Sequence, residues 1–157
     1  MYKTSIGKIL SQIELDDIIL VTIHNSRCGI YTIFLVSPKE PTEFKGRMEY
    51  VNDNGTLSEG FVVGKGEMIY LKEDDVYLIQ SVFVLKKYRN RGYCHKIIQS
   101  LLGYNCGKPV LLETFNPIAK HIYEKFGFRT MHSLRNFYEL RGSESNTSTN
   151  NLIGVQQ

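Results

Sequence analysis

The fold is decided by the stretch Val82-Phe83-Val84-Leu85-Lys86-Lys87-Tyr88-Arg89-Asn90-Arg91-Gly92-Tyr93-Cys94, within which the hydrophobic period changes. The residues from Val76 to Val84 form a long, mostly apolar run, which is typical of a buried strand. Beyond Gly92, apolar residues recur at helical spacing, at Ile97, Ile98, Leu101 and Leu102. The stretch is therefore predicted to be a turn that leads from a strand into a helix starting near Gly92.

Such a turn is suited to holding an anion. Gly92 lets backbone N–H groups approach a phosphate, and a helix N-terminus adds about half a positive charge there. Five basic side chains lie within eleven positions that contain no carboxylate, namely Lys86, Lys87, Arg89, Arg91 and Lys96. This pattern predicts a site for a multiply phosphorylated ligand or a nucleic acid, with a solvated basic face as the alternative. The turn lacks G-x-G-x-x-G, so it is not a dinucleotide-binding turn of the Rossmann type.

Length and composition predict one domain. The chain has 157 residues, and we expect a single domain over residues 1–141 followed by a flexible Ser/Thr/Asn-rich tail over residues 142–157. No run of 18 apolar residues and no signal-like segment occurs, so we expect a cytoplasmic protein without a membrane partner. The three cysteines form no C-x-x-C pair, and no metal-binding spacing is present, so free thiols and no metal are expected.

The remaining pattern predicts an α/β fold of the mixed α+β type. The first half contains five β-rich runs, read as an antiparallel meander, over residues 18–24, 30–36, 47–51, 60–63 and 68–71. The second half alternates strands with two helices, near residues 92–104 and 117–126. We expect a mostly antiparallel sheet, splayed after Val84 and flanked by these helices.

Two motifs together identify a family resemblance. Arg89 to Cys94 resembles motif A of the GNAT superfamily of N-acetyltransferases, [Q/R]-x-x-G-x-[G/A], with Cys94 where Gly or Ala is usual. The family's motif B, N-x-x-A-x-x-x-Y-x-x-x-G-F, is filled at every position by Asn116, Ala119, Tyr123, Gly127 and Phe128. The resemblance covers roughly residues 76 to 140 and is closest in motif to the N-terminal/protein acetyltransferase branch. The two amphipathic helices that the family usually places after its first strand have no counterpart in the first half.

The resemblance implies acetyl-CoA as the co-substrate. Backbone groups of Val82, Phe83 and Val84 would pair with its pantetheine arm as an added strand, and its pyrophosphate would lie on the loop before the helix. The implied cofactor-binding residues are Val82, Phe83, Val84, Arg89, Asn90, Arg91, Gly92, Tyr93, Cys94, His95 and Asn116.

The resemblance also implies direct acetyl transfer to a primary amine, with two catalytic residues. The amine must be neutral to attack, and lysine titrates near ~10.4 and an α-amino group near ~7.7, so a base is needed. Glu113 is the best-placed carboxylate by resemblance, and the alternative is an ion pair with a basic neighbour. Tyr123 stands where the family places its general acid for the departing thiolate. Its alternative is a core residue on an apolar helical face.

The sequence does not identify the amine that accepts the acetyl group. A peptide or protein amine is slightly favoured, and the net charge of −4 over residues 1–75 suits a cationic acceptor such as a polyamine or an aminoglycoside. The competing class is a catalytically idle GNAT-like module that binds CoA or nucleic acid through its basic patch. A nucleic acid partner is disfavoured but left open, and both a monomer and a homodimer are compatible with the sequence.

Overall fold

The computed structural model describes residues 7–39, 41–42, 46–51, 54–113, 117–132 and 137–140, with the backbone alone at 113, 117–118, 130–132 and 137–140. The strands in this part of the chain are β1 (Lys8–Leu15), β2 (Ile18–Asn25), β3 (Ile30–Ser37), β4 (Arg47–Val51), β5 (Leu57–Leu71), β6 (Val76–Val84), β7 (Val110–Glu113), β8 (Arg129–His132) and β9 (Phe137–Leu140). The helices are α1 (Tyr93–Leu102) and α2 (Pro117–Lys125), and a 3-10 turn covers Lys86–Tyr88.

The first of two compact units comprises Met1–Glu67 and Ser81–Leu101. Its strands follow the order β1-β2-β3-β5-β6, and β4 pairs with β5 off this path. The β1–β2, β2–β3 and β4–β5 pairs are antiparallel. Alternate side chains of these strands point to one face, and they form a buried cluster of Val21, Ile23, Phe34, Val36, Met48, Tyr50 and Val62.

Helix α1 packs closely on this unit because β5 carries a glycine beneath it. The helix buries Tyr93, Ile97, Ile98 and Leu101. A Cβ placed on Gly66 would lie 2.5 Å from Ile97 Cγ2, which is closer than two carbon atoms can pack. Gly66 therefore sets how near α1 can approach the strand, and with it the position of the helix N-terminus.

The second unit comprises Met68–Gln80 and Leu102–Gln157, with the strand order β5-β6-β7-β9-β8. The β6–β7 pair is parallel, as expected of two strands joined through a helix, and it covers Tyr77–Ile79 against Val110–Leu112. The β7–β9 and β8–β9 pairs are antiparallel. The carboxylate of Asp75, in the β5–β6 turn, accepts hydrogen bonds from the Tyr70 hydroxyl and from Lys108 Nζ. This contact ties the hairpin to the segment that precedes β7.

The structure confirms the mixed fold, the mostly antiparallel sheet and both helices. The meander was wrong, because β3 neighbours β5 and β4 lies off the main path. Residues 60–63 and 68–71 are not two strands but parts of β5, because Gly64 and Gly66 between them admit close packing of Leu35 and Ile97 rather than a turn. Strand β1 was not predicted, because a bulge between Ile9 and Ser11 disrupts the alternation of its inward and outward side chains.

Some expectations lie outside what the structure describes. The end of the folded domain at residue 141, the tail over residues 142–157 and Asn116 all fall on residues that are not described. Within the described residues, neither helix is long and apolar enough to cross a membrane.

Candidate active site

The loop between β6 and α1 has the geometry of an anion cradle. Asn90 and Gly92 both have left-handed backbone angles, with φ of 64° and 79°. A Cβ placed on Gly92 would meet nothing within 4 Å, so the space beside it is open. The Gly92 carbonyl accepts a hydrogen bond from the Lys96 N–H at 3.1 Å, which closes the first turn of the helix. The first N–H groups of an α-helix have no acceptor within it, so this end of α1 can receive a phosphate.

Hydrogen bonds hold the cradle on the end of β6. The N–H of Tyr88 donates to the Leu85 carbonyl at 2.8 Å, and Arg89 Nε donates to the Val84 carbonyl at 2.8 Å. Tyr88 is buried, and the guanidinium carbon of Arg91 lies 5.4 Å from the centre of its ring. The two arginines are therefore oriented by backbone and ring contacts while they remain exposed to solvent.

The structure brings most of the predicted cofactor residues together in one unit. Val82, Phe83 and Val84 are the last three residues of β6, Arg89 to Gly92 form the loop, and Tyr93 to His95 begin α1. His95 is exposed on the first turn of the helix. Asn116 lies outside the described residues, so its predicted contact with the cofactor stays a prediction.

Cys94 replaces the small residue that the family motif expects, and its surroundings explain how the cradle accommodates it. The side chain is half-buried in the first turn of α1. Burial raises the pKa of the Cys94 thiol, so the group is neutral near pH 7. A neutral thiol adds no negative charge beside a phosphate site, which keeps the cradle compatible with an anion.

Ser81 is a feature that the sequence analysis missed. This exposed, non-glycine residue within β6 has φ of 56°. A left-handed residue inside a strand is typical of a bulge, and such backbone strain is concentrated at functional sites. It immediately precedes Val82, the first residue predicted to pair with the pantetheine arm. The signal in the sequence was the polar pair Gln80-Ser81 within the apolar run of β6.

Tyr123 lies on the buried face of α2, in the second unit. Its side chain is 4% exposed, and its ring meets the ring of Phe128 edge to face at a centroid distance of 6.1 Å. Gly127 ends the helix with φ of 97°, a conformation that favours glycine. The turn then returns the Phe128 N–H to the Tyr123 carbonyl at 3.2 Å. The motif therefore spaces tyrosine, glycine and phenylalanine so that the turn after the helix holds the tyrosine in place.

Glu113 is the last residue of β7, and its backbone is paired with Phe137 of β9. The parallel pairing between β6 and β7 ends one residue earlier, at Leu112. Glu113 therefore stands at the carboxyl end of β7. Glu124 is the other acid near Tyr123 in the sequence. Its Oε1 lies 3.9 Å from Nδ1 of His121 on the surface of α2. No group of three or more His, Cys, Asp or Glu side chains in the described residues could hold a metal ion.

The described residues thus place motif A on the loop from β6 into α1, and the tyrosine, glycine and phenylalanine of motif B at the end of α2. A family model described as an acetyltransferase (GNAT) domain matches residues 50–130, just over half of the chain. The chain belongs to the GNAT acetyltransferase family, and acetyl-CoA is the co-substrate that goes with that membership. No curated protein sequence gives a match.

Solved structures of acetyltransferases match the chain at low sequence identity. A GNAT acetyltransferase from Staphylococcus aureus Mu50 is 17% identical, with a TM-score of 0.51 over 74% of this chain and 70% of that one. Arabidopsis thaliana NAA60 in complex with acetyl-CoA is 15% identical, with a TM-score of 0.44 over 70% of this chain and 73% of that one. The similarity to the S. aureus protein supports a common fold.

Proposed function

We propose that the chain is an acetyl-CoA-dependent N-acetyltransferase that moves the acetyl group directly to a primary amine. The observation that carries this proposal is the open, left-handed Gly92 at the N-terminus of α1. A phosphate there receives hydrogen bonds from backbone N–H groups and partial positive charge from the helix. Arg89 and Arg91, both exposed, add full positive charges beside it.

The residues of the chain have three tasks in this reaction. The cradle and the backbone of Val82 to Val84 hold acetyl-CoA, which supplies a thioester when it is bound. Glu113 removes a proton from the acceptor ammonium group, so that the amine nitrogen attacks the thioester carbonyl carbon. The carbon–sulfur bond then breaks, and Tyr123 would donate a proton to the departing thiolate. The second proton, which the nitrogen loses as the amide forms, would return to the Tyr123 phenolate. Alignment of the two reactants supplies much of the rate, by general estimates roughly 7–11 kcal/mol.

We favour a peptide or protein amine as the acceptor. Its support is the motif resemblance together with the charge of the first 75 residues, which carry 8 basic and 12 acidic side chains. A negative region attracts a lysine-rich or N-terminal segment and raises its association rate. A polyamine or an aminoglycoside has the same charge, so these compounds belong in the same assay.

One observation favours the competing proposal of an idle, CoA-binding module. In the described part of residues 7–84 the structure contains strands and turns but no α-helix. The helix pair that usually lines the family's acceptor pocket therefore has no counterpart there. An idle module needs the cradle but makes no use of the hydroxyl of Tyr123, and this difference separates the two proposals.

The test is release of CoA thiol from acetyl-CoA in the presence of peptides, polyamines and aminoglycosides, with acetyl-CoA affinity measured in parallel. We expect thiol release that depends on one class of amine and that falls in the Tyr123→Phe and Glu113→Gln variants. Higher pH should partly restore the Glu113→Gln rate, because it supplies neutral amine without a base. Tight binding of acetyl-CoA without amine-dependent release in any class would support the idle module instead.

A further inference from the structure

Strand β4 leaves an open edge in the first unit. Among the described strands, it pairs only with β5. The Gly46 carbonyl accepts a hydrogen bond from the Val62 N–H at 2.8 Å, and the backbone groups of an antiparallel strand turn alternately toward and away from the neighbouring strand. The backbone groups of Arg47, Glu49 and Val51 therefore face away from β5.

A side chain occupies one end of this edge in the way that a neighbouring strand would. The Val51 N–H donates to Oε1 of Gln12 at 3.0 Å, and Nε2 of Gln12 donates to the Val51 carbonyl. At Arg47 and Glu49, the backbone groups that face away from β5 take part in no hydrogen bond among the described residues. The part of the edge from Arg47 to Glu49 can therefore accept a further strand.

The side chains along this edge leave one carboxylate without a cation. Glu49 lies directly opposite Glu59 of β5, and like charges directly opposite each other destabilise a sheet. Nη1 of Arg47 lies 3.3 Å from Oε1 of Glu59, and both side chains are about half exposed. Glu49 has no ion-pair partner in the described part of the chain. A further cation beside Glu49 would offset the repulsion.

A second copy of the chain would supply this cation in a single register. Two β4 edges can pair antiparallel about a two-fold axis, because residues that face away from β5 then exchange hydrogen bonds. With the axis at Arg47 or at Glu49, that residue would meet its own charge in the other copy. With the axis at Met48, Arg47 of each copy lies opposite Glu49 of the other. Registers that need the backbone of Val51 are excluded, because Gln12 holds it.

We propose that the chain forms a homodimer in which the β4 edges of two copies pair antiparallel about Met48. Arg47 of each copy exchanges both backbone hydrogen bonds with Glu49 of the other. A guanidinium has several N–H donors, so Arg47 keeps its contact with Glu59 while it binds Glu49 of the other copy. Because the paired edge is short and its charges are exposed, the dimer is weak and sensitive to salt. This pairing is independent of the proposed function.

Sedimentation equilibrium of the full chain and of two charge-reversal variants tests the register. We expect the parent to form dimers at about 100 µM. In Arg47→Glu both positions are acidic and in Glu49→Arg both are basic, so the dissociation constant of each variant should rise at least about 10-fold. An equal mixture of the two variants restores opposite charges in both pairs. The mixed dimer should therefore form with the affinity of the parent.

Glu59→Gln is the matched control, because it removes a charge beside Arg47 but none from the proposed pairs. Its dimer should dissociate like that of the parent, and circular dichroism reports whether each variant is folded. Salt screens exposed charge pairs, so the dissociation constant of the parent should also rise with salt, a measurement that needs no variant.

Four results would each overturn the proposal. They are a parent that stays monomeric at about 100 µM, a parent dimer that salt leaves unchanged or strengthens, folded charge-reversal variants that dimerise like the parent, and a mixture of the two that stays monomeric. Thiol release from acetyl-CoA is measured separately, so loss of the dimer and loss of the proposed activity are distinguishable.

Discussion

Helices α1 and α2 each bury one tyrosine, but the proposed function depends on the backbone at α1 and on a side chain at α2. At α1 the proposed function belongs to the backbone, since Gly92 opens the helix N-terminus, and the buried hydroxyl of Tyr93 has no hydrogen-bond partner among the described residues. At α2 the proposed function belongs to a side chain, the hydroxyl of Tyr123, which the turn through Gly127 and Phe128 holds in place. A site built from backbone groups loses its ligand when a substitution blocks access to them or changes the charge beside them. A site built on a side chain loses its activity when a single oxygen atom is removed.

The largest effect that sharpens this contrast is expected from Tyr123→Phe. The phenylalanine keeps the ring that meets Phe128 edge to face, but it cannot protonate the thiolate. We expect kcat to fall about 100-fold, the lower end of general acid catalysis, with acetyl-CoA affinity unchanged. Steady-state kinetics at saturating acetyl-CoA measure the first quantity and calorimetry the second. A parent rate in the variant would make the ring purely structural.

The next effect concerns how α1 is positioned. Gly66→Ala places a methyl group 2.5 Å from Ile97 Cγ2, so we expect overpacking to lower the free energy of unfolding by about 1–3 kcal/mol. The added methyl group also pushes α1 away from β5 and shifts the helix N-terminus, so we expect the affinity for acetyl-CoA to fall as well. Urea denaturation monitored by circular dichroism gives the stability. A variant as stable as the parent would show that the helix can shift without cost.

Tyr93→Phe is the counterpart of Tyr123→Phe on α1. Its hydroxyl is buried and finds no partner in the part of the chain that the structure describes, and an unsatisfied buried hydroxyl destabilises a fold by about 1–3 kcal/mol. We therefore expect the variant to be more stable by about 1 kcal/mol and to keep its kcat. The same urea and kinetic measurements apply. Lower stability would mean that the hydroxyl has found a partner, such as a buried water.

The smallest effect is on thiol reactivity, which reports the surroundings of the cradle. Cys28 and Cys106 are exposed, whereas burial raises the pKa of Cys94. A higher pKa leaves less thiolate near pH 7, and the thiolate is the form that reacts. We expect iodoacetamide to modify Cys94 at least about 10-fold more slowly than the other two, as followed by peptide mass spectrometry. Equal rates would contradict the half-buried placement of Cys94.

The contrast also explains how much could be predicted from the sequence. The loop from Arg89 to Gly92 and the turn at Gly127 were predictable because glycine conformation and helical periodicity are local properties. The continuity of β5 was not predictable, since Gly64 and Gly66 suggest a turn in the sequence but are explained by Leu35 and Ile97, which pack against them only in the folded chain. The meeting of Pro41 and Leu85 at the wall of a cavity was also not predictable, because they are 44 residues apart and come together only in the folded chain.

The left-handed backbone of Ser81 was only partly visible in the sequence. The polar pair Gln80-Ser81 marks its position in the apolar run, but a serine in a strand does not specify that conformation, which the folded chain imposes. For the candidate site, motif spacing indicated the residues of the cradle and the tyrosine turn, and the structure adds their backbone angles and hydrogen bonds. The role of each residue in catalysis stays a prediction.

The central claim is that the backbone at Gly92 binds acetyl-CoA, and calorimetry on Gly92→Asp and Gly55→Asp tests it most directly. The two glycines share a φ of 79° and open space around an added Cβ, so the two variants carry the same backbone strain and the same new charge. We predict that Gly92→Asp weakens acetyl-CoA binding at least about 100-fold, through lost phosphate contacts and repulsion, and that Gly55→Asp leaves it unchanged. Equal affinity of a folded Gly92→Asp variant and the parent would contradict the account.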